Sequence, residues 1–365
     1  MRILQIIDSL QLGGAEVLLR DLALQWKHEG LEVDVAVLRE TGSTLESDLI
    51  GSGVRVIPTH AGGVYSLRQI RALARLLPDY DLVHVHLFPA QIWAAMAAKL
   101  ASVRAPLVTT EHSTLNARRH KRRYQALDRW MFQQYHTVIC ISQATAEIMR
   151  EWVPDIAGKL QVIANGVRIQ RFREAAPASK KQVLGCEAPV IASIGRFEPQ
   201  KNHAGLLRAM HRVPDVHLVL IGEGELRPEA ERLAEQLGIR ERVHFLGRRS
   251  DVPELLRMAD LYVQFSNFEG FGLAVLEAMA AGVPVVATNV PGLASVVEDA
   301  GVLVPAGDES ALAAEIEAVL RSPERHARLA AGAAQRAADF SVERTASEYA
   351  ALYRSLAEAA SAVHV

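Results

Sequence analysis

The stretch that most restricts the fold of this 365-residue chain runs from Leu261 to Ala287. Leu261-Tyr262-Val263-Gln264-Phe265 is a short apolar run of the kind that makes a buried strand. Ser266 to Gly272 follows as a loop, in which Gly270 and Gly272 let backbone approach a ligand closely. Leu273 to Ala281 has helix-forming composition, and Gly282 followed by Pro284 is a stop signal. Val283, Val285 and Val286 then open a second buried strand. Strand, helix and strand in this order predict a parallel βαβ unit. A helix N-terminus behind a glycine loop offers free N–H groups and a positive dipole end to an anion. Two carboxylates bracket that point, Glu269 in the loop and Glu277 roughly two turns into the helix. Glu277 stands among Leu276, Ala278 and Met279, in an apolar helix that should be mostly buried, and a buried carboxylate needs a partner. The pair reads either as a helix-start charge plus a core ion pair, or as two groups that hold ligand hydroxyls.

The same alternation extends through the chain. Ile3 to Ile7 is a predicted strand, Gly13-Gly14 opens a helix through Trp26, and Val33 to Leu38 is the next strand. The glycine pair lacks the full G-x-G-x-x-G fingerprint, which argues against a nicotinamide dinucleotide. Val54–Pro58 and Asp81–His86 are strands around a helix from Leu67 to Leu77. Asp79-Tyr80-Asp81 spells a D-x-D, but it precedes its strand, and ligand sites in open α/β sheets lie beyond the carboxyl ends. His84 and His86 share a strand face by period two. They lack further zinc ligands at suggestive spacing, and His86, at the strand end, is expected to face a cleft. A helix from Gln91 to Ala101 leads to Leu107–His112, a strand ending in a histidine. Thr137–Ser142 and Leu160–Ile163 are further strands, with Ser142 as the cap of the helix that follows. Asn165-Gly166-Val167 is a turn signal, and residues 173–188 read as linker. Pro189–Arg196 begins a second set of strands. Arg196 and Lys201 precede a helix from Ala204, and because cations oppose a helix N-terminus, an anion between them is expected. His217–Gly224 ends in a G-x-G turn, Val243–Gly247 is followed by Arg248, and a final helix runs to Ala362.

The chain is long enough for two domains, and near-zero net charge gives no footprint for nucleic acid. Arg118-Arg119-His120-Lys121-Arg122-Arg123 is the densest basic run. It reads as a solvated helix face or, with Leu127, Trp130, Met131 and Phe132 behind it, as an amphipathic surface for an anionic membrane or phosphorylated lipid. Cys140 sits in an apolar run and reads as core. Neither it nor Cys186 suggests a disulfide framework. The first apolar run is too short for a signal peptide. The expectation is a cytoplasmic protein, peripheral at the inner membrane face where the basic run engages lipid.

Glu269 and Glu277, with seven residues between them inside FEGFGLAVLEAMAAGVPVVAT, resemble the E-x7-E signature of retaining glycosyltransferases of family four. The other motifs fall in that family's order over nearly the whole chain. The resemblance implies an α/β GT-B fold, two Rossmann-like doubly wound domains facing a cleft. Residues 1–168 would be the acceptor-side domain, with the helix 341–362 packing back on it, and 169–340 the nucleotide-sugar donor domain, hinged near Asn165-Gly166-Val167. The implied reaction moves a sugar from a nucleoside-diphosphate sugar, UDP-linked in preference to GDP-mannose, to a hydroxyl acceptor. The setting would be cell-surface polysaccharide or glycolipid synthesis, with no cofactor and no metal. Glu269, Arg196, Lys201 and His112 would be catalytic. Glu277, Gly270, Phe271, Gly272, Leu273, Gly13, Gly14, Gly224 and Arg248 would bind the donor. The rivals are a GT-B nucleotide-sugar epimerase and a non-catalytic sugar-nucleotide-binding protein.

Overall fold

A computed structural model of the chain describes residues 1–11, 13–113, 118–119 and 121–362, the side chains of 361 and 362 apart. Leu12 of the first glycine loop and His120 of the basic run lie outside the described residues. The chain forms two compact units, Met1–Gly166 with the chain from Val342 onward, and Val167–Ser341.

The first unit holds seven parallel strands: β1 (Arg2–Ile7), β2 (Glu32–Val37), β3 (Arg55–Pro58), β4 (Leu82–His86), β5 (Leu107–Glu111), β6 (Thr137–Cys140) and β7 (Leu160–Val162). Their order is β3-β2-β1-β4-β5-β6-β7. The second unit holds six: β8 (Val190–Ile194), β9 (His217–Ile221), β10 (Val243–Gly247), β11 (Leu261–Gln264), β12 (Val285–Thr288) and β13 (Val302–Val304), in the order β10-β9-β8-β11-β12-β13. Both sheets are doubly wound, with helices between successive strands, as the apolar runs predict for strands buried on both faces. Ser142 accepts the Thr145 N–H and caps the helix Gln143–Trp152 as expected, and Cys140 is fully buried.

Two segments differ from the sequence reading. Residues 173–188 are not plain linker: Lys180–Leu184 is a helix capped by Ser179, and Leu184 packs beside Val190 and Val219. A helix of five residues is too short to display a period. The helix Thr44–Gly51 also goes unannounced, although Ser43 and Glu46 supply its caps by bonding to Glu46 N–H and to the N–H groups of Thr41 and Gly42.

The two faces of the first sheet are covered differently. Leu4, Ile6, Val83 and Val85 face a core shared with Ala94, Met131, Phe132 and Met149. Ile3, Leu82 and Val108 face Leu18, Leu22 and Trp26 of the helix Gly14–His28, and Tyr349 and Tyr353 of the C-terminal helix Val342–Ala362. Trp26 is fully buried, donates Nε1–H to the Ala346 carbonyl at 3.0 Å and meets Tyr349 edge-on at 5.9 Å.

This second face also buries polar side chains. Gln5, His84, His86 and Thr110 are each no more than 2% exposed, and such groups are tolerated only when hydrogen-bonded. They are joined in one chain. His86 Nδ1 meets His112 Nε2 at 3.1 Å, His86 Nε2 meets Gln5 Oε1 at 2.9 Å, and Gln5 Nε2 donates to the Tyr353 hydroxyl at 3.3 Å. The Tyr353 hydroxyl meets His84 Nδ1 at 2.5 Å, His84 Nε2 meets Thr110 Oγ1 at 2.8 Å, and Thr110 meets the Tyr349 hydroxyl at 3.2 Å. Burial pushes all three imidazoles down, His112 to about 4.

Two outcomes follow from this packing. Trp26→Ala should destabilise the first unit by about 3–5 kcal/mol, as for other buried aromatics; an unchanged urea midpoint contradicts it. The three histidines are neutral in the fold and take up protons when unfolded, so the unfolded state binds more protons and stability rises with pH. For His112 the loss on acidification should run from the ordinary 6.5 down to about 4. Urea midpoints flat across that window would contradict the assignment.

Candidate functional site

Each sheet has one place where consecutive crossovers leave in opposite directions. It lies between β1 and β4 in the first unit and between β8 and β11 in the second. Loops diverge beyond the carboxyl ends at such a point and leave a crevice.

In the second unit the loops after β8 and β11 are tied together there. Lys201 Nζ donates to Glu269 Oε1 at 2.5 Å. Glu269 is 7% exposed, and it also accepts from Ser266 Oγ at 2.9 Å and Gln200 Nε2 at 3.1 Å. Asn267 adds backbone and side-chain bonds to the carbonyls of Gln200 and Pro199. Behind Ser266 stands a buried relay: Gln264 Nε2 donates to Ser266 Oγ at 2.8 Å, and Tyr262 O–H donates to Gln264 Oε1 at 2.7 Å. Burial raises the Tyr262 phenol well above its ordinary range, and the negative fields of Glu277 and Glu269 add to that.

The helix Leu273–Ala280 starts just past this carboxylate. Its N-cap, Gly272, has φ of +97°, which favours glycine, and a Cβ there would lie 2.5 Å from Leu293. Gly270 and Leu273 are partly exposed at the helix start, while Phe271 is buried against Phe340. The helix around Glu277 is mostly buried as expected, and Glu277 itself is partly exposed. It falls on the same side of the helix as Leu273 and Ala274, both also partly exposed, whereas Val275, Leu276, Ala278 and Met279 are buried. Gly224 presses on the loop after β8, where a Cβ would come within 2.6 Å of Phe197 backbone. Arg196, whose side chain is 69% exposed, pairs with Glu198 at 2.9 Å. Arg248 is exposed beyond β10. Arg196 and Lys201 do not stand as an equivalent pair of cations, since Lys201 is tied to Glu269.

In the first unit, Gly13 caps the helix Gly14–His28 in an extended conformation, and the Glu16 carboxylate lies over it, 2.4 Å from where a Cβ would be. Asp8, beyond β1, accepts the Ala90 N–H at 2.9 Å. Burial pushes its carboxyl up to about 6 against that bond. His112 is partly exposed just past β5. His86 does not face a cleft: it is 2% exposed and lies between Gln5 and His112. Period two sends it to the face beneath the C-terminal helix.

The basic run is not a continuous surface. Arg118 lies over the Phe88 ring and pairs with Asp128, and Arg119 pairs with Glu111 at 2.8 Å with its side chain 7% exposed. Lys121, Arg122 and Arg123 are exposed. Met131 and Phe132 are fully buried in the unit's own core, with Leu127 and Trp130 packed against it, so their spacing records internal packing. The D-x-D is occupied structurally: Asp81 accepts the Arg2 N–H at 2.7 Å, and the Asp79 carbonyl takes the Arg2 guanidinium. Among the described residues no group of three or more His, Cys, Asp or Glu side chains is placed to hold a metal ion. Among them, too, no helix is long and apolar enough to cross a membrane.

Sequence reasoning missed Asp8, Gln200, Gln264 and Ser266. The available signal was a glutamine and a serine at the end of an otherwise apolar strand, where unpaired polar groups are costly.

Residues 12–171 match the family described as Glycosyltransferase Family 4, and residues 176–336 match Glycosyl transferases group 1. The chain is 30% identical to a D-inositol 3-phosphate glycosyltransferase of Corynebacterium urealyticum, over 94% of this chain and 91% of that protein. It is 28% identical to a UDP-Gal:alpha-D-GlcNAc-diphosphoundecaprenol alpha-1,3-galactosyltransferase of Escherichia coli, over 70% of this chain and 71% of that one. Among solved structures, Anabaena HepE in complex with UDP and glucose superposes with a TM-score of 0.87 at 25% identity, covering 97% of this chain and all of HepE. With both halves matched in order and a relative spanning nearly the full length, the chain belongs to the group 1 glycosyltransferases, of GT-B fold.

Proposed function

We propose that the protein transfers a hexosyl group from a UDP-sugar to a hydroxyl acceptor with retained anomeric configuration. The observation that carries this reading is the buried Glu269, held by Lys201, Ser266 and Gln200 beside a glycine-capped helix N-terminus at the switch point of the second sheet. An oriented carboxylate there suits sugar hydroxyls, and the helix start suits a diphosphate. UDP in preference to a GDP-mannose donor is supported by HepE, solved with UDP, and by the UDP-Gal enzyme of Escherichia coli. The latter's acceptor is also lipid-linked, which favours glycolipid or cell-surface polysaccharide synthesis. We assign the donor mainly to the second unit and the acceptor to the first, with His112 on the acceptor side and the Gly13-Gly14 loop facing both the donor phosphates and the acceptor.

In this mechanism Glu269 holds sugar hydroxyls beside the reacting carbon. Glu277, partly exposed on the helix that starts just past Glu269, takes the ribose. Gly270, Phe271, Gly272 and Leu273 shape the phosphate seat, Gly224 keeps the nucleotide loop close, and Arg248 lies toward the base. Departure of the diphosphate develops negative charge, which needs an oriented counter-charge. Lys201, held beside Glu269, supplies it in place of a metal, and the exposed Arg196 adds a weaker, solvent-screened charge.

Glu269→Gln should lower kcat about 100-fold or more while UDP affinity by calorimetry stays close to the parent's; comparable kcat sinks the assignment. Lys201→Ala should lose about 100-fold in kcat, and parental turnover should persist in excess EDTA. Loss with EDTA and recovery with magnesium or manganese would overturn the metal-free reading. Product from anomerically defined donor separates the rivals. Retention in a glycosylated acceptor supports transfer, whereas a changed free sugar without acceptor supports an epimerase. The exposed Lys121, Arg122 and Arg123 are proposed to meet anionic lipid. Reversing them should weaken binding to anionic vesicles by about 1 kcal/mol per charge, and a parent that does not bind such vesicles at low salt removes the idea.

A further inference from the structure

We infer that Gln5, acting through His86, sets which ring nitrogen of His112 carries the proton, and that Tyr353 of the C-terminal helix sets Gln5 in turn. The inference rests on the reading of His112 as a ligand contact. It concerns the buried groups behind His112, Gln5, His86 and Tyr353, which the transfer mechanism does not use.

A neutral imidazole has one N–H and one lone pair, so a string of imidazoles and amides has a direction. The bonds from Tyr353 through Gln5 and His86 to His112 could be satisfied in two opposite senses. The lengths select one, because O–H donors make shorter bonds than N–H donors. The short contact, 2.5 Å, joins the Tyr353 hydroxyl to His84 Nδ1, and the long one, 3.3 Å, joins the Gln5 amide nitrogen to the Tyr353 oxygen. Tyr353 therefore donates to His84 and accepts from the amide of Gln5. That leaves Gln5 Oε1 facing His86 Nε2 at 2.9 Å, and a carbonyl oxygen can only accept. His86 is protonated on Nε2, its Nδ1 is a lone pair, and His112 must donate Nε2–H across the 3.1 Å contact. His112 Nδ1 is left as an acceptor.

The consequence is chemical selectivity. A lone pair at Nδ1 accepts a hydroxyl O–H and repels a phosphate or carboxylate oxygen. Gln5 and Tyr353 are positioning residues for a hydroxyl-bearing ligand, either the donor sugar or the acceptor. The charged and titratable groups around the string are His84 on the same strand, Tyr349 and Tyr353 from the C-terminal helix, and the Glu111–Arg119 pair beside His112. Burial keeps all three imidazoles neutral.

Long-range proton–nitrogen spectra of 15N-histidine-labelled, ligand-free protein read the tautomers, with His112 assigned through His112→Gln. His86 and His112 should both be Nε2-protonated and neutral at neutral pH. An Nδ1-protonated His112 in the parent overturns the inference and leaves the glycosyltransferase reading untouched. Gln5→Glu keeps an oxygen toward His86 but adds a charge that draws a proton onto the histidine pair. It should give kcat/KM an acid limb near neutral pH, falling about tenfold per pH unit, where the parent is flat. Superposable pH profiles would overturn the inference. Tyr353→Phe removes the acceptor for the amide, and should shift His112 toward the Nδ1-protonated form without unfolding the protein. An unshifted His112 in that variant also counts against it. Unchanged turnover in His112→Gln would remove the ligand role and the inference with it.

Discussion

The contact between Lys201 and Glu269 organises the second unit. Either group buried alone would be costly, and breaking such a pair by removing one partner typically costs about 3–5 kcal/mol. Because the two residues come from loops after different strands, their pairing fixes the separation of those loops at the switch point. Asn267 and Gln200 repeat the tie with neutral bonds, so the carboxylate does not depend on one contact for its orientation. Three side chains of this unit thus fix the carboxylate's orientation, which is what electrostatic preorganisation requires.

The first unit solves a different problem. Its sheet buries Gln5, His84, His86 and Thr110 on the face that the C-terminal helix covers. Two tyrosines of that helix provide hydroxyls where an all-apolar helix would leave Gln5 Nε2 and His84 Nδ1 unpaired and take one partner from Thr110. Polar strings of this kind are strong when every member is satisfied and costly when one is missing. The helix thus contributes hydrogen-bond partners as well as apolar cover.

Much of this architecture is legible in the sequence, and the limits have physical causes. Strands buried on both faces read as continuous apolar runs, so the strand series and its parallel pairing stand out. The loop carrying Glu269 and the helix start after Gly272 are local and equally readable. The pairing of Glu269 with Lys201 is not, because it joins residues far apart in sequence through the sheet order. The run Arg118–Arg123 reads as one surface, yet Glu111 and Asp128 draw its first two arginines inward. His86 could be placed on a face by its period, but which helix covers that face is decided by residues at the far end of the chain.

That last feature bears on how the protein comes to be folded at all. The first unit is interrupted by the whole of the second, and Trp26 finds its carbonyl partner at Ala346. During synthesis the amino-terminal sheet emerges early, whereas the helix that seals one of its faces is translated only after the whole second unit. The second unit is continuous in sequence and can finish first, reversing the usual order in which amino-terminal domains fold ahead of later ones. Until then the nascent sheet carries an unsealed face of Ile3, Leu82, Val108 and the buried histidines. The interval before that helix is made is when the sheet most needs protection from aggregation.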